Sequence, residues 1–243
     1  MKKAAIVTGG AGGIGSAVCR RLAKDGWLVA VCYNSSKQAA QDLAEELTAE
    51  HYAAKAFYCD ISSLESIQKC VYEVREQFCR IGLLVNNSGI ADINLFTDIS
   101  DERLCELINV DLIGAMRISR EVLPEMIRDH RGAIIKISSV WGECGASCEV
   151  AYSAAKAGLI GFTKALAKEV APSGIHVNCV SCGLIDTKMN SELTDEDMQA
   201  VIDDIPMGRI GRPEEIAETV AFLADERSAY IQGQVIRVDG AWI

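Results

Sequence analysis

The chain has 243 residues, of which 49% are hydrophobic and only four are proline, enough for one large domain with a substantial buried core and with no stretch that reads as a linker. A formal net charge of −10 at pH 7 argues against nucleic acid and anionic membranes as partners, because both reward basic surfaces. No apolar run approaches the roughly 18 residues of a membrane span, and Met1-Lys2-Lys3 leads at once into Ala4-Ala5-Ile6-Val7, too short for a signal-peptide core, so a cytoplasmic protein is expected.

Short apolar, β-rich segments alternate with longer amphipathic ones along the whole sequence. The pattern predicts a strand at 4–8, a helix near 15–25, a strand at 28–32, a helix near 37–49, a strand at 53–58, a helix near 64–78 and a strand at 82–86. It continues with a long helix near 101–128, a strand at 133–138, a helix near 152–170, a strand at 175–180, a helix near 213–224 and a strand at 234–238. Such alternation implies parallel strands with crossover helices on both faces of the sheet. The run Ala133-Ile134-Ile135-Lys136-Ile137 suits a strand covered on both sides. Ser62-Ser63-Leu64-Glu65 reads as a capping box, after which Ile67, Val71, Val74 and Phe78 recur at helical spacing as core. Pro172 and Gly174 close the helix near 152–170. The polar and acidic segment from about Leu184 to Met207 breaks the alternation and is expected to be an irregular substrate loop, an insertion near 184–210 in a single 1–243 domain.

Thr8-Gly9-Gly10-Ala11-Gly12-Gly13-Ile14-Gly15 follows the first strand and opens the first helix. Glycines there let the backbone turn tightly and approach a pyrophosphate, whose charge the helix N-terminus welcomes. Two templates fit: Gly10, Gly12 and Gly15 match the general dinucleotide spacing, while Gly9, Gly13 and Gly15 match Thr-Gly-x-x-x-Gly-x-Gly. Spacing alone does not choose between them. About twenty residues on, an acidic side chain would hold an NAD ribose. Here the text is Val31-Cys32-Tyr33-Asn34-Ser35-Ser36-Lys37, without an acid, and the groups of Asn34, Ser35 and Lys37 suit a 2′-phosphate, so NADP(H) is favoured over NAD(H).

Tyr152 and Lys156 stand four residues apart in a helical stretch, so a phenol and an ammonium project from one face. The ammonium is expected to favour phenolate and to lower the tyrosine pKa toward the range of general acid–base catalysis. Ser139, thirteen residues upstream at the end of an apolar run, would orient and polarise the reacting oxygen. Ten cysteines scattered through the predicted elements read as reduced and mostly buried thiols. Cys179 and Cys182 form a Cys-x-x-Cys, but no second pair completes a zinc site and the pair follows a strand, so no metal site is expected.

With the glycine loop, Asn86-Asn87-Ser88-Gly89, Ser139, Tyr152 and Lys156 in this order and spacing, the chain resembles the short-chain dehydrogenase/reductase family over essentially its whole length. The resemblance implies a Rossmann-type α/β fold, a doubly wound parallel sheet of about seven strands with helices on both faces, and a single domain. It makes Tyr152 the acid/base, Ser139 the carbonyl-orienting hydroxyl and Lys156 the ribose ligand, with Asn109 holding a water that links Lys156 to solvent. It also assigns Gly9, Gly12, Gly13, Ile14 and Gly15 to the cofactor loop, Asp60 and Ile61 to the adenine, Asn87 and Gly89 to the cofactor wall, and Ile185 and Thr187 to the nicotinamide carboxamide. The implied reaction is hydride transfer to a carbonyl carbon while Tyr152 protonates the oxygen. The chain departs from the family's usual text at Ser88, Cys182 and Ala241, and at Gly12, where NADP-preferring relatives often carry arginine.

Pro206-Met207-Gly208-Arg209 and Ala221-Phe222-Leu223-Ala224 are most similar to bacterial 3-oxoacyl-[acyl-carrier-protein] reductases, which implies a small or carrier-bound ketone substrate and acyl carrier protein as a partner. In those reductases two basic residues dock the carrier, and the matching positions are His130 and Ser173, with Arg128 and Arg131 nearby. The string from Trp141 to Val150 is more similar to reductases of 5-aminopentanone-modified elongation factor P, where Glu143 or Glu149 would attract an amine. The alternative from another class, a nucleotide-binding protein without chemistry, would be favoured by loss of Asn109, Ser139, Tyr152 or Lys156, and all four are present. The resemblance further implies a homotetramer built on the helices near 101–128 and 152–170 and on the C-terminal segment.

Overall fold

In a computed structural model describing residues 3–190 and 194–243, seven parallel strands form one sheet, ordered β3-β2-β1-β4-β5-β6-β7. The strands are β1 (Ala4–Val7), β2 (Leu28–Tyr33), β3 (Ala54–Tyr58), β4 (Ile81–Asn86), β5 (Gly132–Ser139), β6 (Ile175–Cys182) and β7 (Val235–Val238). Their order reverses between β1 and β4, which opens a crevice above the carboxyl ends of those two strands, the switch point at which doubly wound sheets take their ligands.

The helices cover both faces because the inner strands β1, β2, β4, β5 and β6 are largely apolar and buried on both. On one side α1 (Gly13–Lys24), α2 (Lys37–Ala49) and α9 (Pro213–Ala224) bury Val18, Leu22, Leu43, Leu47, Ile216 and Val220 against the sheet. On the other, α3 (Leu64–Phe78), α5 (Ala115–Arg128) and α7 (Val150–Val170) bury Ile67, Val71, Ile118, Val122, Leu166 and Val170. This is the expected alternation, with Gly174 taking the left-handed conformation (φ 70°) after a 3-10 turn that contains Pro172. No helix among the described residues is long and apolar enough to cross a membrane.

Four local expectations are corrected. The helix predicted over 101–128 is α4 (Asp101–Ile108), a π turn (Asn109–Gly114) and α5. In that turn Gly114 crosses so near Ile61 that a Cβ would stand 2.6 Å from the Ile61 carbonyl oxygen. The expected capping box does not form; Ser63 alone caps α3. Ser63 Oγ accepts from Ser66 N (3.3 Å), while Ser62 Oγ donates to Asp60 Oδ1 (2.6 Å), so Ser62 and Glu65 make no reciprocal pair. The 184–210 segment is not irregular throughout: it holds α8 (Asp195–Asp204), capped by Thr194 and Asp197, while 191–193 lie outside the described residues. A short α6 (Trp141–Cys144) follows β5, and β5 and β6 run on to include Ser139 and Cys182.

Among the buried polar residues of the sheet, one carries a full charge. Lys136, in the centre of β5, is fully buried with its ammonium 4.4 Å from the Phe162 ring centroid and no hydrogen-bond acceptor among the described residues. Burial pulls its pKa down to about 7, opposed by the Cys179 side chain alongside on β6.

Candidate active site

The turn after β1 is shaped by three of its glycines. Gly9 has φ 60°, and its carbonyl accepts from Gly12 N (3.0 Å) and Asn87 Nδ2 (3.1 Å). A Cβ on Gly15 would lie 2.1 Å from that same carbonyl oxygen, and one on Gly13 would lie 2.6 Å from the Thr187 methyl. Gly12 meets only the Gly9 carbonyl, at 3.3 Å. The geometry therefore selects the Gly9, Gly13, Gly15 template that spacing left open. Thr8 Oγ1 fixes the facing loop by accepting from Asn87 N (2.9 Å) and Ser88 N (3.0 Å), so the turns after β1 and β4 form one rigid crevice. It is a cradle that side chains would fill, and it fits a dinucleotide pyrophosphate at the start of α1.

The other expected cofactor residues follow the carboxyl ends of β1, β2, β3 and β6. Asn34, Ser35 and Lys37 lie exposed where β2 passes into α2, whose N-cap residue, Ser36, makes no side-chain capping bond. Asp60 follows β3, its Oδ1 held by Ser62 N (2.9 Å), and Ile61 is buried beside it. Ile185 is pinned by a bridge to Gly211 and by its carbonyl, which accepts from Asn190 Nδ2 (2.6 Å). Ile14, at the start of α1, packs against the core.

Ser139, Tyr152 and Lys156 converge at the carboxyl ends of β5 and β6. Ser139 is paired with Cys182 across the ladder, and the charge of Lys156 reaches both Tyr152 and Cys182. The Lys156 ammonium lies 5.2 Å from the Tyr152 ring centroid, as helical spacing requires. α6 locks the arrangement, for a Cβ on Gly142 would stand 2.7 Å from the Lys156 carbonyl carbon. Ser139 Oγ accepts from Trp141 N (3.2 Å), and Trp141 packs edge-on against Trp242 (4.8 Å).

The electrostatics differ from the expectation. Burial pushes the Tyr152 phenol above its ordinary value; Lys156 pulls it down, but Asp111, Cys182 and Glu149 push it up again, and the net direction is upward. Burial is the largest cause, and an acid that the sequence analysis did not single out offsets much of the pull of Lys156. Asp111, in the π turn, lies 3.0 Å from the Lys156 ammonium, both side chains being almost wholly buried (0% and 5% exposed). Burial alone would lower the Lys156 pKa, yet Asp111 and Tyr152 carry it above an ordinary lysine. Asn109 points elsewhere: its Oδ1 accepts from Arg117 Nη1 (3.2 Å), which also donates to the Ser62 carbonyl (2.7 Å). An acid amid apolar neighbours, Val110-Asp111-Leu112-Ile113, was the available signal.

Of the two glutamates expected near the site, Glu143 is engaged by Arg237 (3.1 Å). Glu149 is half-buried, raised by that burial while the Trp141 indole opposes it, and has no ion-pair partner among the described residues. His130 and Ser173 come together, His130's carbonyl lying under Gly174, but at the amino ends of β5 and β6, the length of a strand from Tyr152. All ten cysteines are free. Cys179 and Cys182, an odd number of strand residues apart, face opposite sides of the sheet, and burial lifts their thiols to about 11 and about 12. No cluster of metal ligands occurs among the described residues.

Fold and crevice thus define a dinucleotide-binding α/β oxidoreductase. A family model described as enoyl-(acyl carrier protein) reductase matches residues 9–242. The chain is 40% identical over 243 residues to the uncharacterized oxidoreductase YmfI of Bacillus subtilis, covering 100% of this chain and 99% of the relative. It is 38% identical over 240 residues to the 3-oxoacyl-[acyl-carrier-protein] reductase FabG of Staphylococcus aureus, and 40% identical over 241 to the acetoacetyl-CoA reductase of Allochromatium vinosum, in both cases covering 99% of this chain and 98% of the relative. The protein belongs to the short-chain dehydrogenase/reductase family and is an NAD(P)-dependent oxidoreductase acting on CH–OH and C=O groups.

Proposed function

We propose that the protein is an NADPH-dependent carbonyl reductase whose substrate is a 3-oxoacyl thioester. The observation that carries this reading is the convergence of Ser139, Tyr152 and Lys156 beside the glycine crevice, at the carboxyl ends of the strands. When bound, the nicotinamide supplies a hydride to the carbonyl carbon. Ser139 donates to the carbonyl oxygen and orients it; Tyr152, held protonated by its surroundings, gives that oxygen its proton; Lys156 holds the ribose hydroxyls; Asn109, the fourth member that the resemblance implies, has its side-chain oxygen taken by Arg117 and is given no step. Gly9, Gly12, Gly13, Ile14 and Gly15 form the pyrophosphate cradle, Asp60 and Ile61 border the adenine, Asn87 and Gly89 wall the site, and Ile185 and Thr187 border the carboxamide. Asn34, Ser35 and Lys37, exposed at the start of α2 with no acid beside them in sequence, support a 2′-phosphate and hence NADP(H).

The thioester reading is supported by relatives named 3-oxoacyl-[acyl-carrier-protein] reductase and acetoacetyl-CoA reductase. Exposed apolar side chains add to it: Ile93, Leu95 and Phe96 after β4, Val150 at the start of α7 and Met189 after β6 belong to segments that leave the catalytic end of the sheet. A second reading, reduction of an amine-bearing ketone such as the 5-aminopentanone group of elongation factor P, is favoured by Glu149, a half-buried carboxylate near Tyr152 with no ion-pair partner among the described residues. Consumption of NADPH and NADH measured in parallel, with acetoacetyl thioesters beside a panel of amino ketones, separates these readings. Turnover of thioesters with NADPH is expected; turnover confined to amino ketones would move the assignment to the second reading.

A further inference from the structure

The Asp111 carboxylate does not belong to the serine, tyrosine and lysine set, yet it lies deeper in the site than any of them. Oδ1 accepts from Ile90 N (2.8 Å), in the loop after β4, and Oδ2 lies 3.0 Å from Lys156 Nζ. That second contact is an ion pair without hydrogen-bond alignment. Gly89 makes room for it, since a Cβ there would be 2.8 Å from Asp111 Oδ2 and 3.0 Å from Lys156 Nζ. One buried carboxylate thus joins the crevice loop, the π turn and α7. The π turn turns Asp111 inward, a use to which such turns are often put at functional sites.

We propose that Asp111 is a positioning residue for the reaction, clamping the Lys156 ammonium and cancelling its charge beside Tyr152, so that the tyrosine is kept as a proton donor suited to ketone reduction. This rests on the reductase reading above. A lone buried ammonium would draw Tyr152 toward tyrosinate, the form that takes a proton from an alcohol. With Asp111 in place the two charges offset, and burial of the phenol prevails. The groups facing Tyr152 are Lys156 on its own helix, Asp111 on the π turn, Cys182 on β6 and Glu149 ahead of α7; Cys179 also faces Lys156. Burial keeps both thiols neutral through the working range, and Glu149 is common to every variant compared, so a difference between variants isolates Asp111. Asp111 does not alter the reaction's equilibrium; it sets the pH range in which each direction runs.

The test is Asp111→Asn, which keeps an acceptor for Ile90 N and removes the charge. Tyrosinate absorbance of the ligand-free protein is titrated against pH, with Tyr152→Phe and the double variant subtracted to isolate Tyr152. Ionisation of Tyr152 should move down by roughly one pH unit or more, and the high-pH limb of ketone reduction should move down with it. An unchanged titration in folded Asp111→Asn overturns the proposal. Should that variant fail to fold, Asp111→Ser, which keeps a hydroxyl for Ile90 N and removes the charge, takes its place with the same two outcomes, and wild-type ionisation of Tyr152 below that of an exposed tyrosine overturns the proposal directly. Because the titration needs no substrate, it stands apart from the reductase reading, which fails instead if the wild type turns over no ketone.

Discussion

Tyr152 and Lys156 were placed on one face by helical spacing alone, and that juxtaposition is present. What spacing does not carry is the charge brought to the pair from another element. Asp111 is 41 residues from Tyr152 in the sequence and reaches Lys156 through a π turn that no count of apolar residues reveals. Burial of the phenol, with Asp111 offsetting Lys156, reverses the expected lowering of the tyrosine pKa, and Asn109, expected beside Lys156, turns its amide to Arg117 instead. The glycine loop behaves differently, because its demand is steric and written in the backbone. Gly15→Ala would drive a methyl group into the Gly9 carbonyl and open the cradle. Binding of NADPH, followed by quenching of protein fluorescence, should weaken by about tenfold or more while the circular dichroism spectrum stays that of the wild type; unchanged binding would remove Gly9 and Gly15 from the site.

Elements were legible where a period and a boundary signal coincide. All seven strands and the crossover helices α1, α2, α3, α7 and α9 fall where the alternation put them, because each buries a continuous apolar face. The α8 helix was not legible, being polar and acidic, and only its Thr194–Asp197 cap marks it. Ser63 rather than Ser62 caps α3 because Asp60 takes the Ser62 hydroxyl. Lys136, read as part of an apolar strand, makes β5 sensitive to pH. Its pKa falls from 10.5 in the open chain to about 7 when folded, so the unfolded state binds the extra proton between those values. Stability should accordingly rise as the pH climbs from about 7 toward 10.5 and level off on either side. Lys136→Met, of similar length, should stabilise the protein at neutral pH by on the order of 4 kcal/mol and flatten the rise. Urea unfolding of both proteins across this range is the measurement; parallel curves would show that the ammonium is solvated in the folded state.

At the scale of the molecule, α7 has too little polar surface for a helix that faces water. Ala154, Ala157, Gly161 and Ala165 lie exposed in one row along it, and Ile113 and Met116 are exposed on the neighbouring π turn and α5. This supports the homotetramer that the family resemblance implies, with small residues letting helices of two copies approach closely. Sedimentation at micromolar concentration should show a tetramer, and Ala157→Arg should dissociate it; a wild-type monomer would contradict the assembly. The charge of −10 is spread over a surface on which most arginines are paired with acids, which fits a partner that presents a ketone more than one that presents a phosphate backbone.

The central claim is that Tyr152 delivers the proton in an NADPH-dependent ketone reduction, and Tyr152→Phe addresses it by deleting one oxygen. Steady-state turnover of an acetoacetyl thioester should fall by about 10²-fold or more, while NADPH binds to the variant as tightly as to the wild type. Turnover retained in folded Tyr152→Phe would contradict the account.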